Sequence, residues 1–297
     1  MRMVRRYGSA TVDGAASTAR AFSGGRRLDL AELRRIYARQ MLTLASAGTD
    51  RRLENAFAAI PRESFLGSGQ WRILTPWSPY TPVPERDPAL IYQDVVVALD
   101  EERGVNNGSP SLHARWMHLV SPSRGEKVAH IGAGTGYYTA ILAELVGEEG
   151  YVTAVEYDAG RAESAKENLK DRRNVDVVHA DGRAWPKDPT DVVYVNFATP
   201  RPADAWIDNL AVGGRLIFPL GVPREGPRGG GRSGLNALAV IVQRLDKVRC
   251  RSSSPRERAA RLLTRWVACR AALKEVAGTR SEASSGKRLP TKRRAGA

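Results

Sequence analysis

The residues of this chain best suited to chemistry cluster where an apolar run breaks into closely spaced glycines. Val128–Thr139 reads VAHIGAGTGYYT, and Gly132, Gly134 and Gly136 make the pattern G-x-G-x-G. Glycine serves such a loop twice: it reverses the chain through positive φ, and its missing Cβ lets a ligand lie against the backbone. The spacing differs from the G-x-G-x-x-G of a dinucleotide fingerprint, and no Lys-Ser/Thr pair follows as in a phosphate loop. Nothing nearby is built to hold a pyrophosphate, which argues against a nicotinamide-dependent oxidoreductase. Glu156 lies 24 residues after Gly132, at the end of the next β-rich run. There a carboxylate can accept two charge-assisted hydrogen bonds from a ribose diol, each worth about 1.5–3 kcal/mol. Asp181 ends the run after that and suits an adenine amino group. The plainer alternatives are a structural glycine turn, a helix N-terminal acid at Glu156 and a turn residue at Asp181.

The elements that must hold these residues follow from periodicity. From Glu126 to about Leu220, short β-rich runs (Val128–Ile131, Tyr151–Glu156, Val175–His179, Val192–Asn196, Arg215–Leu220) alternate with helical patterns near Tyr138–Val146, Gly160–Lys170 and Ala203–Leu210. That alternation argues for a parallel sheet wrapped by helices, with ligands at the carboxyl edge of the strands. Ala237–Leu245 makes one further strand. Upstream, Leu30, Leu33, Ile36, Tyr37, Met41 and Leu44 recur at helical intervals behind an Asp29 cap, and a second helix runs from about Asp50 to Ala59 and stops at Pro61. Residues 71–90 hold five prolines and read as a loop, and a helix is expected over Ser111–Leu119. The expected organisation is a flexible leader over 1–27, a helical and loop region on the acceptor side over 28–125, a Rossmann-like domain over 126–250, and a basic helix with a disordered tail over 251–297.

Bulk composition narrows the class. A chain of 297 residues, 42% of them hydrophobic, is long enough for a large buried core. No apolar run has the roughly 18 residues of a membrane span, and the amino terminus lacks a compact secretory stretch, so a cytoplasmic protein is expected. Cys250, Cys269 and four scattered histidines make neither a disulfide framework nor a zinc-ligand spacing, and no metal is expected. The formal charge of +14 is unevenly placed: +5 over residues 1–28, −5 over 29–222 and +14 over 223–297. The motif-bearing middle is mildly acidic and the arginine-rich ends lack interleaved aromatics, which argues against a nucleic-acid partner and for solvated tails.

Together the glycine loop, Glu156 and Asp181 resemble class I S-adenosylmethionine-dependent methyltransferases over about residues 126–245. The resemblance implies an α/β fold: a doubly wound, mostly parallel seven-stranded Rossmann-like sheet of order 3-2-1-4-5-7-6, its last strand antiparallel, with an N-terminal helical extension. It also implies S-adenosyl-L-methionine as cofactor, bound by Ile131, Gly132, Ala133, Gly134, Gly136, Glu156, Tyr157, Asp181, Gly182 and Asn196. Within that superfamily, residues 55–221 look like the protein-L-isoaspartate O-methyltransferases. Their V-P-R-E-x-F motif is matched by Ile60-Pro61-Arg62-Glu63-Ser64-Phe65, and their loop E-I-G-T-G-S-G-Y-Q-T-A-x-L-A is similar to His130–Ala143. Their L-x-x-G-G-R-L-x-x-P-x-G ending is present as Leu210–Gly221. This likeness implies a protein or peptide partner with a carboxylate acceptor, L-isoaspartyl residues of damaged proteins foremost.

One segment departs from that family. Its G-Q-T-I-S-x-P carries the serine usually credited with catalysis; aligned on Gly104 and Pro110, Gly108 stands in the serine's place. A carboxylate is already ionised at pH 7, so its methylation needs alignment and desolvation before it needs a base. Asn107 and Ser109 are therefore the candidate catalytic residues, with Asn106, Ser111 and His113 beside them on the acceptor side and Trp71, Trp77, Tyr92 and Asp94 shaping the pocket. The duller alternatives are a turn and helix cap at Asn107–Ser111, packed aromatics, and a surface or core histidine at His113. The missing serine favours a same-fold enzyme with another acceptor; the basic ends leave room for a degenerate scaffold gripping RNA or an acidic partner.

Overall fold

The computed structural model describes residues 29–75, 78, 80–222 and 236–244. The expected leader, the basic tail and Trp77 lie outside them.

Two capped helices open the chain. In α1 (Leu30–Leu44) the Asp29 carboxylate accepts from the backbone N–H of Glu32 at 2.6 Å, and in α2 (Arg51–Ala59) that of Asp50 accepts from Leu53 at 3.1 Å. The buried face of α1 is Tyr37, Ala38, Met41, Leu42 and Ala45, packed with Leu53 and Phe57 of α2. Leu30, Ile36 and Leu44, expected on that face, are 43%, 50% and 56% exposed. The stripe is rotated because two alanines complete it, and small residues carry little weight in a reading led by large ones. After a loop region with two short strand pairs comes α3 (Pro110–Val120), where Pro110 sits at a first-turn position whose N–H would be unpaired anyway.

The sheet contains β1 (Lys127–Ile131), β2 (Tyr151–Glu156), β3 (Val175–His179), β4 (Thr190–Val195), β5 (Leu210–Val222) and β6 (Asn236–Gln243). Its spatial order is 3-2-1-4-5-6, with β6 antiparallel to β5 and every other pair parallel. β1 and β4 read as continuous apolar runs because both faces are covered. Among the described residues the sheet has six strands, not seven: β6 pairs directly with β5 over eight residues, from Asn236↔Val222 to Gln243↔Arg215, and takes the edge. The helices α4 (Tyr137–Val146), α5 (Ala159–Leu169) and α6 (Asp204–Asp208) form the crossovers. The helix expected to reach Leu210 ends at Asp208, since Leu210 already pairs with Thr190 at the start of β5. One hydrophobic cluster joins Tyr37, Phe57, Trp116, Tyr138 and Ile141 to Val128, Val192 and Tyr194, so the helical region and the sheet share a core. No helix among the described residues is long and apolar enough to cross a membrane.

Candidate functional site

The chain leaves β1 through α4 toward β2 and leaves β4 through α6 toward β5, in opposite directions along the sheet, so a crevice opens beyond the carboxyl ends of β1 and β4. Gly132, Gly134 and Gly136 all have positive φ, and Gly136 starts α4 at φ +96°. A Cβ at Gly136 would lie 2.7 Å from Leu169 Cδ1, so this glycine lets α5 pack against the loop.

Glu156, at the end of β2, is 6% exposed. It accepts from Gly134 N at 2.8 Å and Asp158 N at 3.1 Å, and Arg161 Nε lies 3.3 Å from Oε1. The acid and the glycine loop therefore hold each other in place. Asp181 accepts from Arg183 through both side chain (Nη2 at 2.6 Å) and backbone N (2.9 Å), which keeps its carboxyl below the usual carboxylate range. Next to it, any Cβ at Gly182 would overlap Ile131 Cγ2, and Trp206 Nε1 donates to the Gly182 carbonyl at 2.9 Å. Asn196 follows β4; its backbone N donates to Ile131 O at 2.9 Å, and its side chain faces the buried His130 imidazole.

These parts surround one cleft of about 460 Å³. Of the residues expected to hold the cofactor, Ile131, Gly132, Ala133, Gly134, Glu156, Tyr157, Asp181, Gly182 and Asn196 line it; Gly136 does not, being turned to α5. On the acceptor side Asn106, Asn107 and His113 line the same cleft. Ser109 and Ser111 stand outside it because Asp94 takes both: Ser109 Oγ lies 3.0 Å from Asp94 Oδ1, which also accepts from Ser111 N at 3.0 Å, and Ser111 Oγ lies 2.5 Å from Oδ2. Neither Tyr92, Asp94 nor Trp71 reaches the cleft. Tyr92 bonds Glu63 and Arg34, and Trp71 lies under the Arg86 guanidinium at 4.5 Å. Sequence reasoning missed Arg161, Arg183 and Phe197 as lining residues; the first two were signalled only by their closeness to Glu156 and Asp181.

The acceptor end is held from beneath. Asn107 Oδ1 accepts from Val97 N at 2.9 Å and from Arg62 Nη2 at 3.4 Å. The guanidinium of Arg62 is fully buried, donating also to the carbonyls of Ile91, Gln93 and Val95. His113 is buried with Nδ1 2.8 Å from Tyr194 Oη, and burial pushes its pKa down to about 3. His130, beneath the loop, has Nδ1 2.8 Å from Thr139 Oγ1, and burial lowers it to about 4 despite an opposing interaction with Asn196.

A mostly parallel sheet whose cleft opens over a G-x-G-x-G loop, with acids ending β2 and β3, defines a Rossmann-like methyltransferase fold. Residues 39–227 match the protein-L-isoaspartate(D-aspartate) O-methyltransferase family, and the chain belongs to that family. It is 34% identical over 180 residues to the protein-L-isoaspartate O-methyltransferase of Aeropyrum pernix, covering 59% of this chain and 62% of that one. With the enzyme of the same name from Thermotoga maritima it shares 33% identity over 183 residues, covering 60% and 53%. A solved structure titled protein-L-isoaspartate O-methyltransferase superposes with a TM-score of 0.55 at 27% identity, covering 71% of this chain and 60% of that one. The chain thus spans between about half and two thirds of the length of these relatives.

Proposed function

We propose that the protein is an S-adenosylmethionine-dependent methyltransferase that esterifies the side-chain carboxylate of L-isoaspartyl residues in proteins or peptides. The carrying observation is that the cleft between Glu156 and Asp181 continues without a break to Asn106, Asn107 and His113, in a chain of this family. The residues suit the cofactor: the volume is that of a small-molecule site, and the glycine loop presents bare backbone to it, with no room for a Cβ at Gly132 beside Phe197. Glu156 takes the ribose, Asp181 the adenine amino group, and Ile131, Gly132, Ala133, Gly134, Tyr157, Gly182 and Asn196 complete the walls. Bound S-adenosylmethionine supplies a methyl group on a positively charged sulfur; the O–CH3 bond forms as the S–CH3 bond breaks, its electron pair stays on sulfur, and no proton moves. What remains for the chain is to align and desolvate a carboxylate that is already ionised. Asn107, held by Arg62 and Val97, belongs to that acceptor wall. Repair of damaged cytoplasmic proteins is the role that goes with this acceptor.

A second reading, transfer to a different carboxylate or peptide, is favoured by Gly108, which brings no hydroxyl to the wall. Calorimetric titration with S-adenosylhomocysteine tests the cofactor site. Incubation of an isoaspartyl peptide with labelled cofactor then separates the acceptors: a base-labile methyl ester supports the first reading, and its absence with cofactor binding intact supports the second.

A further inference from the structure

The acceptor wall carries a buried imidazole whose cleft-side nitrogen is without a partner. His113 is 5% exposed, lies 3.7 Å from the Tyr138 ring centroid at 22° between planes, and faces Tyr194 Oη through Nδ1. These contacts fix the ring and leave Nε2 with no hydrogen bond among the described residues, on a side chain that lines the cleft. Gly108 stands against it at φ +75°: a Cβ there would overlap Nε2 and lie 2.9 Å from Cδ2. Bare backbone at this position is what leaves Nε2 its space. Beside it, Val97 N and Arg62 Nη2 both donate to Asn107 Oδ1, which fixes that amide so that Nδ2, buried and unpartnered, is the side left over.

We propose that His113 is the acceptor-binding residue of this chain, donating from Nε2–H to one oxygen of the carboxylate to be methylated, with Asn107 Nδ2 as a second donor. The inference rests on the carboxyl-methylation reading above. A neutral imidazole has one donor and one acceptor nitrogen; in the proposed tautomer Tyr194 Oη donates to Nδ1 and the proton sits on Nε2. An ionised carboxylate only accepts, so a wall of two donors matches it and does not match a hydroxyl acceptor that must lose a proton. A neutral donor orients one oxygen without pairing off the charge, and the other oxygen keeps its nucleophilicity. Burial keeps the ring in that state throughout the neutral range.

The test compares His113→Asn, whose amide reaches only as far as Nδ1, with His113→Gln, whose amide reaches as far as Nε2. For each, kcat and KM for an isoaspartyl peptide are measured beside S-adenosylhomocysteine affinity and the thermal midpoint. Nitrogen NMR of the histidines in the wild-type complex with S-adenosylhomocysteine follows peptide addition. His113→Asn is expected to lower kcat/KM about 10- to 100-fold, with product affinity within twofold and substantial recovery in His113→Gln. The wild-type Nε2 resonance should shift on adding peptide, and the wild-type rate should be flat from about pH 6.5 to 8.5. Equal activity of both variants and wild type overturns the inference while leaving the reading intact, as does a bound peptide that leaves Nε2 unmoved. Should a variant unfold, the wild-type resonance decides. Wild type that binds product but neither binds nor methylates the peptide overturns the isoaspartyl reading and this inference with it.

Discussion

Glu156 accepts from three donors, and two of them belong to other parts of the site: the Gly134 amide in the loop and Arg161 on α5. Replacing it with alanine removes a buried charged acceptor and frees the loop that it braces. Hydrogen bonds to charged groups contribute about 1.5–3 kcal/mol, so affinity for S-adenosylhomocysteine should fall about 10- to 100-fold in Glu156→Ala by calorimetry, with Glu156→Gln between. An alanine variant that binds within twofold of wild type would take Glu156 out of the ribose site. Gly136 makes a different kind of demand. At φ +96° and with Leu169 Cδ1 2.7 Å from any Cβ, Gly136→Ala combines backbone strain with overlap. The expected loss is about 1–3 kcal/mol, read from urea midpoints, and it should appear without ligand present. Local spacing made Glu156 legible in sequence as a cleft residue, whereas Gly136, expected at the cofactor, turns to α5 instead. Ser109 and Ser111 were misread for the opposite reason: Asp94, 15 and 17 residues away along an aperiodic loop, holds their hydroxyls.

At the scale of elements, the helical region matters to the site through Arg62. The motif around it was recognisable, yet its role was hidden, because its main partners are backbone carbonyls at 91, 93 and 95 and not an acid that charge patterning could have picked out. Its guanidinium also lies 5.9 Å from the Tyr37 ring and 6.0 Å from Tyr137, so α1 and α4 close over it. In Arg62→Met the apolar volume is nearly kept, while several interior carbonyls lose their donor at about 1–3 kcal/mol each. The variant should lose at least about 3 kcal/mol of stability. Because Asn107 Oδ1 loses one of its two donors, turnover should also fall more than cofactor affinity does. Equal losses in the two would mean that Arg62 supports the whole fold and not the acceptor wall in particular. The same region shows how far periodicity reaches. It located α1 and α2 within a residue or two but turned the buried face of α1, since Ala38 and Ala45 pack as closely as the leucines that were expected there.

Over the whole molecule, the parallel sheet was readable because strands covered on both faces need unbroken apolar runs, and the closing edge was not, because β6 finds its place only by pairing with β5. The covered strands have a further consequence through the histidines enclosed with them. His130 on β1 and His113 on α3 are both buried and held neutral, with pKa values lowered to about 4 and about 3 against about 6.5 in an unfolded chain. Below pH 6.5 the unfolded state takes up two protons that the folded state refuses, so stability is full above that pH and declines as acid is added. The limiting slope is about 1.4 kcal/mol per pH unit for each histidine, and it persists until pH approaches the folded values. Carboxylates held low by arginine, such as Glu126 with Arg215 and Asp181 with Arg183, add to the loss only in the more acid range where unfolded carboxyls titrate. Urea midpoints should therefore be nearly level from pH 8 to 7 and drop steeply from pH 6 to 4.5. In His113→Gln that drop should be about half as steep, because one of the two buried rings is gone; a wild-type midpoint that holds level to pH 5 would mean that the two rings take up protons as readily in the fold as out of it.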